Sequence, residues 1–203
     1  MGAVETIALA MGLGWASGLN LYAALFMLGL LHHTGHMALP PELAVAADPL
    51  VMGAAGLMYC VEFFADKVPG LDTAWDAVHT FVRIPAGAIL AAQAVAPVGE
   101  GAQLAAALVG GGLAAGSHAL KAGSRALINT SPEPFSNWTA SIAEDLMVIG
   151  GLWTALYHPW IFLGLLAAFV LAAAWLMPRI WRGVKRVAAL LARPVRRREA
   201  RPD

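Results

Sequence analysis

Long apolar runs are the feature of this 203-residue sequence that most restricts its fold. A helix needs about 20 mostly apolar residues to cross the hydrocarbon core of a membrane. Runs of about this kind lie near Ala3–Leu31, Leu50–Ala65, Ile84–Val98, Leu104–Leu120, Ile142–Tyr157 and Trp160–Met177. Hydrophobic residues make up 59% of the chain and charged residues 13%, a balance that a soluble domain rarely has. The sequence therefore predicts an all-α polytopic membrane protein with six transmembrane helices.

The six spans are predicted to form one transmembrane domain, residues 1–178, followed by a basic tail, residues 179–203. The tail "RIWRGVKRVAALLARPVRRREARPD" mixes apolar side chains with cations, as does an amphipathic helix on an anionic leaflet. All 13 Lys and Arg residues fall on one side of the six-span arrangement. By the positive-inside rule, we expect both termini in the cytoplasm.

Acidic residues are predicted to lie below the membrane surface. The uncharged stretch Leu50–Val61 covers only roughly 18 Å as a helix, so span two must take in Glu62 and Asp66. The same arithmetic places Glu144 and Asp145 within span five. The cytoplasmic half of the bilayer is thus expected to contain four carboxylates.

Basic residues on span four are positioned to meet those acids. Lys121 and Arg125 are four residues apart and share a helix face, with His118 one turn earlier. Ionisable groups at membrane depth normally face a bundle interior or a watery cavity, where they find partners. We therefore predict one polar cluster, built by spans two, four and five, that opens to the cytoplasm. The alternative is that these charges only pair with one another and cap helix ends at the level of the headgroups.

The segment "LDTAWDAVHTFVR" is predicted to be a short amphipathic helix before span three. Its polar face would carry Asp72, Asp76, His79 or Thr80, and Arg83. Pro85 is then predicted to break or bend the start of span three.

A second polar segment, "KAGSRALINTSPEPFSNWTASIAEDL", separates spans four and five. Residues 129–131, beginning with Asn129, fit a cap or turn, and Pro132 and Pro134 favour an extended loop. Ser136 or Asn137 is predicted to cap the next helix.

An internal repeat is predicted from glycine spacing. Gly12, Gly14, Ala16 and Gly18 in span one match Gly110, Gly112, Ala114 and Gly116 in span four, which brings Asn20 opposite His118. Three spans per copy would make the second copy inverted, with repeat A at about 3–98 and repeat B at about 101–178. Secondary transporters use such repeats, with binding sites at glycine-interrupted helices. The alternative is that two closely packed glycine-rich helices match by chance.

No catalytic signature is present in the sequence. It lacks a nucleophile elbow, a phosphate-binding glycine loop, a paired-cysteine zinc site and an HExxH helix. His32, His33 and His36 in "HHTGH" could bind a metal, but clustered loop histidines are usually incidental. We predict no catalytic residue, no metal and no cofactor.

Four segments carry a resemblance to a known family: "GLNLYAALFMLGLL", "EFFADKVPGLDTAWDAVHTFVRIPAGA", "KAGSRALINTSPEPFSNW" and "EDLMVIGGLWTALYHP". Together they resemble the bacterial membrane family catalogued as domain of unknown function 4126, over nearly the whole chain to about Pro178. The resemblance implies a small multi-span protein of the bacterial inner membrane. It carries over no catalytic or binding residues.

The favoured hypothesis is a small transporter or channel-like carrier for an ion or small polar solute. The alternatives are a noncatalytic partner or assembly protein and a membrane-embedded lipid-modifying enzyme. Expected partners are the lipid bilayer, anionic lipids at the tail, the solute and a second copy of the chain, but no nucleic acid. The predicted substrate- or ion-binding residues are Asn20, Glu62, Asp66, Asp76, His79, Arg83, His118, Lys121, Arg125, Asn129, Glu144 and Asp145.

Overall fold

The computed structural model describes residues 2–130 and 135–199, with side chains as far as residue 189 in the last helix. The described residues form six α-helices, two short 3-10 helices and no strand. The α-helices are α1 (Ala3–His33), α2 (Pro49–Ala65), α3 (Leu71–Ala94), α4 (Glu100–Ile128), α5 (Phe135–Tyr157) and α6 (Pro159–Glu199). The prediction of an all-α fold is confirmed.

Charged and apolar side chains are distributed in the reverse of the pattern in a soluble protein. Glu62, Arg83 and Arg125 are 0% exposed, whereas Leu50 is 84% exposed and Phe81 83% exposed. The charges lie inside, and large apolar side chains cover the outside, where lipid would solvate them. The protein is therefore an all-α membrane protein.

Within the part of the chain that the structure describes, helix length and hydropathy identify fewer membrane spans than the six that the sequence predicts. α1 and α6 are long and apolar enough to cross a membrane, and a third span results if the 3-10 helix Pro41–Ala47 and α2, bent by 62°, count as one. α2 alone has 17 residues. α3, α4 and α5 contain charged residues that lower their hydropathy, and most of these side chains are buried.

α1 runs through the middle of the bundle and contacts the other five α-helices. Small residues allow this close packing. A Cβ added to Gly14 would lie 2.6 Å from Cα of Gly110, and one added to Gly18 would strike the backbone oxygen of Ala114. A Cβ added to Gly87 would lie 2.6 Å from Cβ of Ala114. The spacing of α1, α3 and α4 therefore depends on glycine at these positions.

α1 is broken at Asn20, where φ is −150° and ψ is 94°. A break frees backbone groups, and buried ones need partners. Nζ of Lys121 donates to the backbone oxygen of Leu19 at 3.0 Å. Oδ1 of Asn20 accepts from the backbone N–H of Ala23 at 2.9 Å. Side chains therefore take over hydrogen bonds that the helix loses.

The glycine interruption predicted in the fourth helix is wrong, because α4 runs unbroken from Glu100 to Ile128. A Cβ added to Gly112 or Gly116 would meet nothing within 4 Å. An unbroken helix keeps the backbone hydrogen bonds at these glycines.

The break predicted at Pro85 is also wrong, whereas the alternative of a bend at Pro85 stays a prediction. α3 joins the amphipathic segment and span three in one helix, with Pro85 inside it. Proline removes one N–H donor, but the helix is held on both sides of it. Asp76 and Arg83 are paired at 2.9 Å before Pro85, and Gly87 packs on Ala114 after it.

α5 begins at Phe135, so Ser136 and Asn137 lie in its first turn and do not precede it as caps. Asn137 is buried, and its side chain bonds across to α4. Residues 131–134, where an extended loop was predicted, lie outside the described residues.

α6 continues without interruption to Glu199, so the described part of the basic tail extends the last helix. A Cβ added to Gly123 would lie 2.6 Å from Cγ2 of Ile180, which places the start of the tail against α4. The remainder of the predicted tail, residues 200–203, lies outside the described residues.

Candidate functional site

Seven charged side chains form a buried ion network in the bundle interior. None of them is more than 7% exposed. They come from the end of α2, one face of α3, one face of α4 and the first half of α5. The buried ion network consists of Glu62, Asp66, Asp76, Arg83, Lys121, Arg125 and Glu144.

Arg83 joins α3 to α2. Its Nη2 lies 2.7 Å from Oε1 of Glu62, and its Nη1 lies 2.9 Å from Oδ1 of Asp76. Asp76 and Arg83 are two helical turns apart, so both point from α3 toward the same neighbours. The planar guanidinium thereby fixes two carboxylates at once.

Lys121 lies at the centre of the network. Its Nζ lies 2.8 Å from Oδ2 of Asp66, 3.1 Å from Oε1 of Glu62 and 3.0 Å from the backbone oxygen of Leu19. An ammonium has three donors, and these contacts use all of them. Lys121 therefore connects the acidic end of α2 to the break in α1.

Arg125, one turn after Lys121, joins α4 to α5. Its Nη2 lies 2.7 Å from Oε2 of Glu144, and its Nε lies 3.4 Å from Oε1 of the same side chain. Its Nη1 donates to the backbone oxygens of Asp66 at 2.9 Å and Asn137 at 3.1 Å. The paired contact with Glu144 is the bidentate geometry that arginine favours.

The network contains one more negative charge than positive charge, with four carboxylates and three cations. Three buried oxygens accept no hydrogen bond from the described residues: Oε2 of Glu62, Oδ1 of Asp66 and Oδ2 of Asp76. A buried excess of charge is costly unless a proton or counter-ion neutralises it. The network therefore has both the charge and the free acceptor atoms to take up a cation or proton.

His118 is bonded to the network and has a defined tautomer. Its Nδ1 lies 3.2 Å from Nη1 of Arg83, and its Nε2 lies 2.7 Å from Oγ1 of Thr80. Because arginine can only donate, Nδ1 must accept and Nε2 must carry the hydrogen. The hydroxyl of Thr80 in turn donates to the backbone oxygen of Asp76 at 2.9 Å.

His79 occupies a separate position against α1. Its Nδ1 lies 2.8 Å from the backbone oxygen of Trp75, and its Nε2 lies 3.1 Å from the hydroxyl of Tyr22. The indole of Trp75 stacks on the ring, with centroids 4.2 Å apart. His79 is therefore fixed by Trp75 and Tyr22 and forms no hydrogen bond with a side chain of the network.

Asp145 lies at the break in α1 and not in the ion network. Its Oδ1 accepts from Nδ2 of Asn20 at 3.0 Å, and its Oδ2 accepts from the hydroxyl of Tyr59 at 3.4 Å. It is 8% exposed. None of the ion pairs among the described residues includes this carboxylate.

Asn129 closes the end of the bundle beside the network. Its Nδ2 contacts both carboxylate oxygens of Asp72, at 2.8 and 3.0 Å. Its Oδ1 accepts from Nδ2 of Asn137 at 2.7 Å, and Asn137 contacts Arg125. These amides connect the start of α3, the end of α4 and the start of α5.

The structure brings most of the predicted site residues together. Seven of the twelve form the network, His118 bonds to it, and Asn129 reaches it through Asn137. Asn20 and Asp145 pair with each other, not with His118, and His79 pairs with Tyr22. The predicted opening to the cytoplasm is not seen among the described residues, since the side chains of the network are only 0–7% exposed.

Several residues of the region were not predicted as site residues: Tyr22, Tyr59, Asp72, Thr80 and Asn137. Asp72 and Thr80 were placed on the polar face of α3, which was the available signal. Tyrosine in an apolar span equally indicates packing at the membrane interface, so no sequence signal singled out Tyr22 or Tyr59.

Two apolar surface cavities lie away from the network. One of about 600 Å³ is lined by apolar residues of α1, α5 and α6, including Trp15, Phe162 and Phe169. Another of about 570 Å³ lies between α1, residues 95–98 and α4 and is also mostly apolar. Within residues 2–130 and 135–189, no group of three or more His, Cys, Asp or Glu side chains could hold a metal ion.

Comparison with known proteins supports a family assignment and nothing more specific. No curated protein and no solved structure matches the chain. A family model described as domain of unknown function 4126 matches residues 7–179. That range contains every residue of the buried ion network, the break in α1 and Asp145. Since the match covers most of the 203 residues, the chain belongs to the domain of unknown function 4126 family.

Proposed function

We propose that this protein is a small integral membrane transporter or channel-like carrier for an ion or small polar solute. The observation that carries the proposal is the buried ion network, with its excess carboxylate, beside the broken helix α1. Ionisable groups within membrane bundles are costly and commonly mark ion or substrate pathways. Broken helices line the binding sites of many secondary transporters.

All six α-helices cross the membrane in this proposal, with both termini cytoplasmic. α2 to α5 present large apolar side chains outward, such as Leu57 at 65%, Leu104 at 65% and Leu146 at 66% exposure. Residues 3–98 and 101–178 are the two inverted repeats. The matched glycine stripes support this division, and they pack against each other where Gly14 meets Gly110.

The ion network joins the two proposed halves. The first half contributes Glu62, Asp66, Asp76 and Arg83, with a net charge of −2, and the second contributes Lys121, Arg125 and Glu144, with a net charge of +1. Lys121 contacts Glu62 and Asp66 across the boundary. A cation at the carboxylates, or an anion at Lys121, would compete with these contacts and so weaken the attraction between the halves.

Reconstituted vesicles test the proposal. The full chain is placed in liposomes that contain a pH-sensitive dye and a potassium ionophore. The external pH is then lowered, and the dye measures how fast protons enter. A parallel arm measures osmotic swelling in glycerol, urea and glycine. We expect at least one species to cross faster than in protein-free vesicles. The flux should fall in Glu62→Gln and persist in Glu100→Gln, an exposed carboxylate at the start of α4. Equal rates in protein and protein-free vesicles for every species would contradict the proposal.

A second candidate is a noncatalytic membrane partner or assembly protein. The burial of the network and the apolar lining of two surface cavities favour it. A network that holds helices in place needs no route to solvent. In that case Glu62→Gln should lower thermal stability without changing any flux above the level of protein-free vesicles.

A further inference from the structure

Asp145 and Glu144 are neighbours on α5 but have different surroundings. Successive helical residues point about 100° apart, so the two carboxylates face different partners. Glu144 is held bidentately by Arg125. Asp145 is 8% exposed and receives only neutral donors, the amide of Asn20 and the hydroxyl of Tyr59. Among the described residues, Asp145 is therefore a buried carboxylate without a cation in contact.

Protonation has different consequences at a carboxylate of the ion network, such as Glu62, and at Asp145. A proton on Oε2 of Glu62, which accepts no hydrogen bond from the described residues, would neutralise the charge that Arg83 and Lys121 bind through Oε1, at 2.7 and 3.1 Å. At Asp145 the hydroxyl of Tyr59 can reverse its role, because a phenol both donates and accepts. When Oδ2 gains a proton, the new O–H donates to the oxygen of Tyr59 and the phenolic hydrogen turns away. No hydrogen bond of the ion network needs to break.

We propose that Asp145 is the proton-binding carboxyl of this protein and that Asn20, at the break in α1, senses its charge. This inference rests on the proposed function and names the proton as its ion. Water on one side supplies the proton, Oδ2 of Asp145 holds it, and the other side receives it, with no other reactant. The contact between Nδ2 of Asn20 and Oδ1 is a charge-assisted hydrogen bond while Asp145 is ionised and a weaker neutral one afterwards. Protonation therefore loosens the side chain at the broken position.

Groups on every helix packed around Asp145 set the field that it experiences. These groups come from α1, from α2 and the residues that follow it, from α4 and from α5. In chain order they are Asn20, Tyr59, Glu62, Asp66, Lys67, Lys121, Arg125 and Glu144. The acids and bases of this set are paired among themselves, apart from Lys67, whose Nζ bonds to Phe63 and Ser141. Asp145 is the acid of the set without an ion pair.

Infrared spectroscopy during a pH titration of the full chain in nanodiscs tests the assignment. We expect a protonated-carboxyl band that changes with pH in the native protein, is lost in Asp145→Asn and is retained in Glu100→Gln. A tyrosine band should change with the same midpoint and be lost in Tyr59→Phe, because the hydroxyl reverses. Thermal unfolding verifies that the variants fold. If Asp145→Asn does not fold, Asp145→Glu takes its place, because it keeps a carboxyl but displaces it. The pH midpoint of the carboxyl band must then shift.

Proton flux in vesicles separates this inference from the proposed function. Loss of both the band and the proton flux in Asp145→Asn supports both. Loss of the band, with no flux of any tested species even in the native protein, supports proton binding at Asp145 and overturns the carrier. A band that is unchanged in Asp145→Asn, or a proton flux equal to that of the native protein, overturns the inference while leaving carriage of another species possible.

Discussion

Replacing Lys121 with methionine removes the central cation of the buried ion network while keeping a side chain of similar length. In the native protein, four carboxylates face three cations; in Lys121→Met, four face two. Oε1 of Glu62 keeps its contact with Arg83 at 2.7 Å. Oδ2 of Asp66 keeps only a nitrogen of Arg125 at 3.6 Å, and the backbone oxygen of Leu19 loses its lysine donor.

The expected cost follows from burial. Removing one partner of a buried ion pair typically destabilises a protein by about 3–5 kcal/mol, because the remaining charge is left uncompensated. For a chain of this size, such a loss lowers the midpoint of thermal unfolding by roughly 6–20 °C. Unfolding of the purified protein in detergent, followed by circular dichroism, measures the shift.

Two further variants decide whether charge is the cause. Lys121→Met combined with Asp66→Asn gives three carboxylates and two cations, restoring the native difference of one, and should recover part of the lost stability. Lys67→Met is the matched control: Nζ of Lys67 bonds only to neutral oxygens of Phe63 and Ser141, and burial lowers the pKa of its ammonium. Its loss should cost about 1 kcal/mol. The reasoning is refuted if Lys121→Met costs no more than this control, or if adding Asp66→Asn deepens the loss.

Two further predictions concern packing and topology. Gly14→Ala should lower the midpoint of thermal unfolding by several degrees in the same assay, because its Cβ would lie 2.6 Å from Cα of Gly110. Gly112→Ala places its Cβ in open space, so it should leave the midpoint unchanged or raise it. Equal effects of the two variants would contradict the packing argument. In a Cys60→Ala background, cysteines at Glu42 and Glu100 should react with an impermeant maleimide from one side of the membrane and a cysteine at Thr73 from the other. Labelling of all three from the same side would contradict the six-span topology.

The sequence predicted which faces would carry charge better than it predicted which charges would pair. Helical spacing placed Glu62 beside Asp66 and Lys121 beside Arg125, and both stripes face each other in the structure. Spacing along α3 cannot show that Arg83 reaches Glu62. That contact depends on the rotation of α3 about its axis, which is set by packing between helices.

The break in α1 shows a similar limit. The sequence placed an interruption in this helix because of its glycines, but the structure places it at Asn20. Gly14 and Gly18 are needed for close contact with α4, and a helix can keep its own hydrogen bonds at such positions. Asn20 can leave the helical conformation because its side chain bonds to Ala23 and Asp145, and Lys121 bonds the preceding carbonyl. These partners come from distant parts of the chain, so local sequence could not reveal them.

Burial of charge also explains why hydropathy identifies fewer membrane spans than the six proposed here. α3, α4 and α5 carry their charged side chains on the faces that meet, and Phe81, Leu104 and Leu146 lie on the outer faces. A hydropathy average counts both faces equally, although lipid would contact only the outer one. Such helices cannot reach their final positions independently, because each charge needs a partner from another helix before it leaves water. Assembly of α2, α3, α4 and α5 is therefore expected to be cooperative, with the ion network closing as one unit.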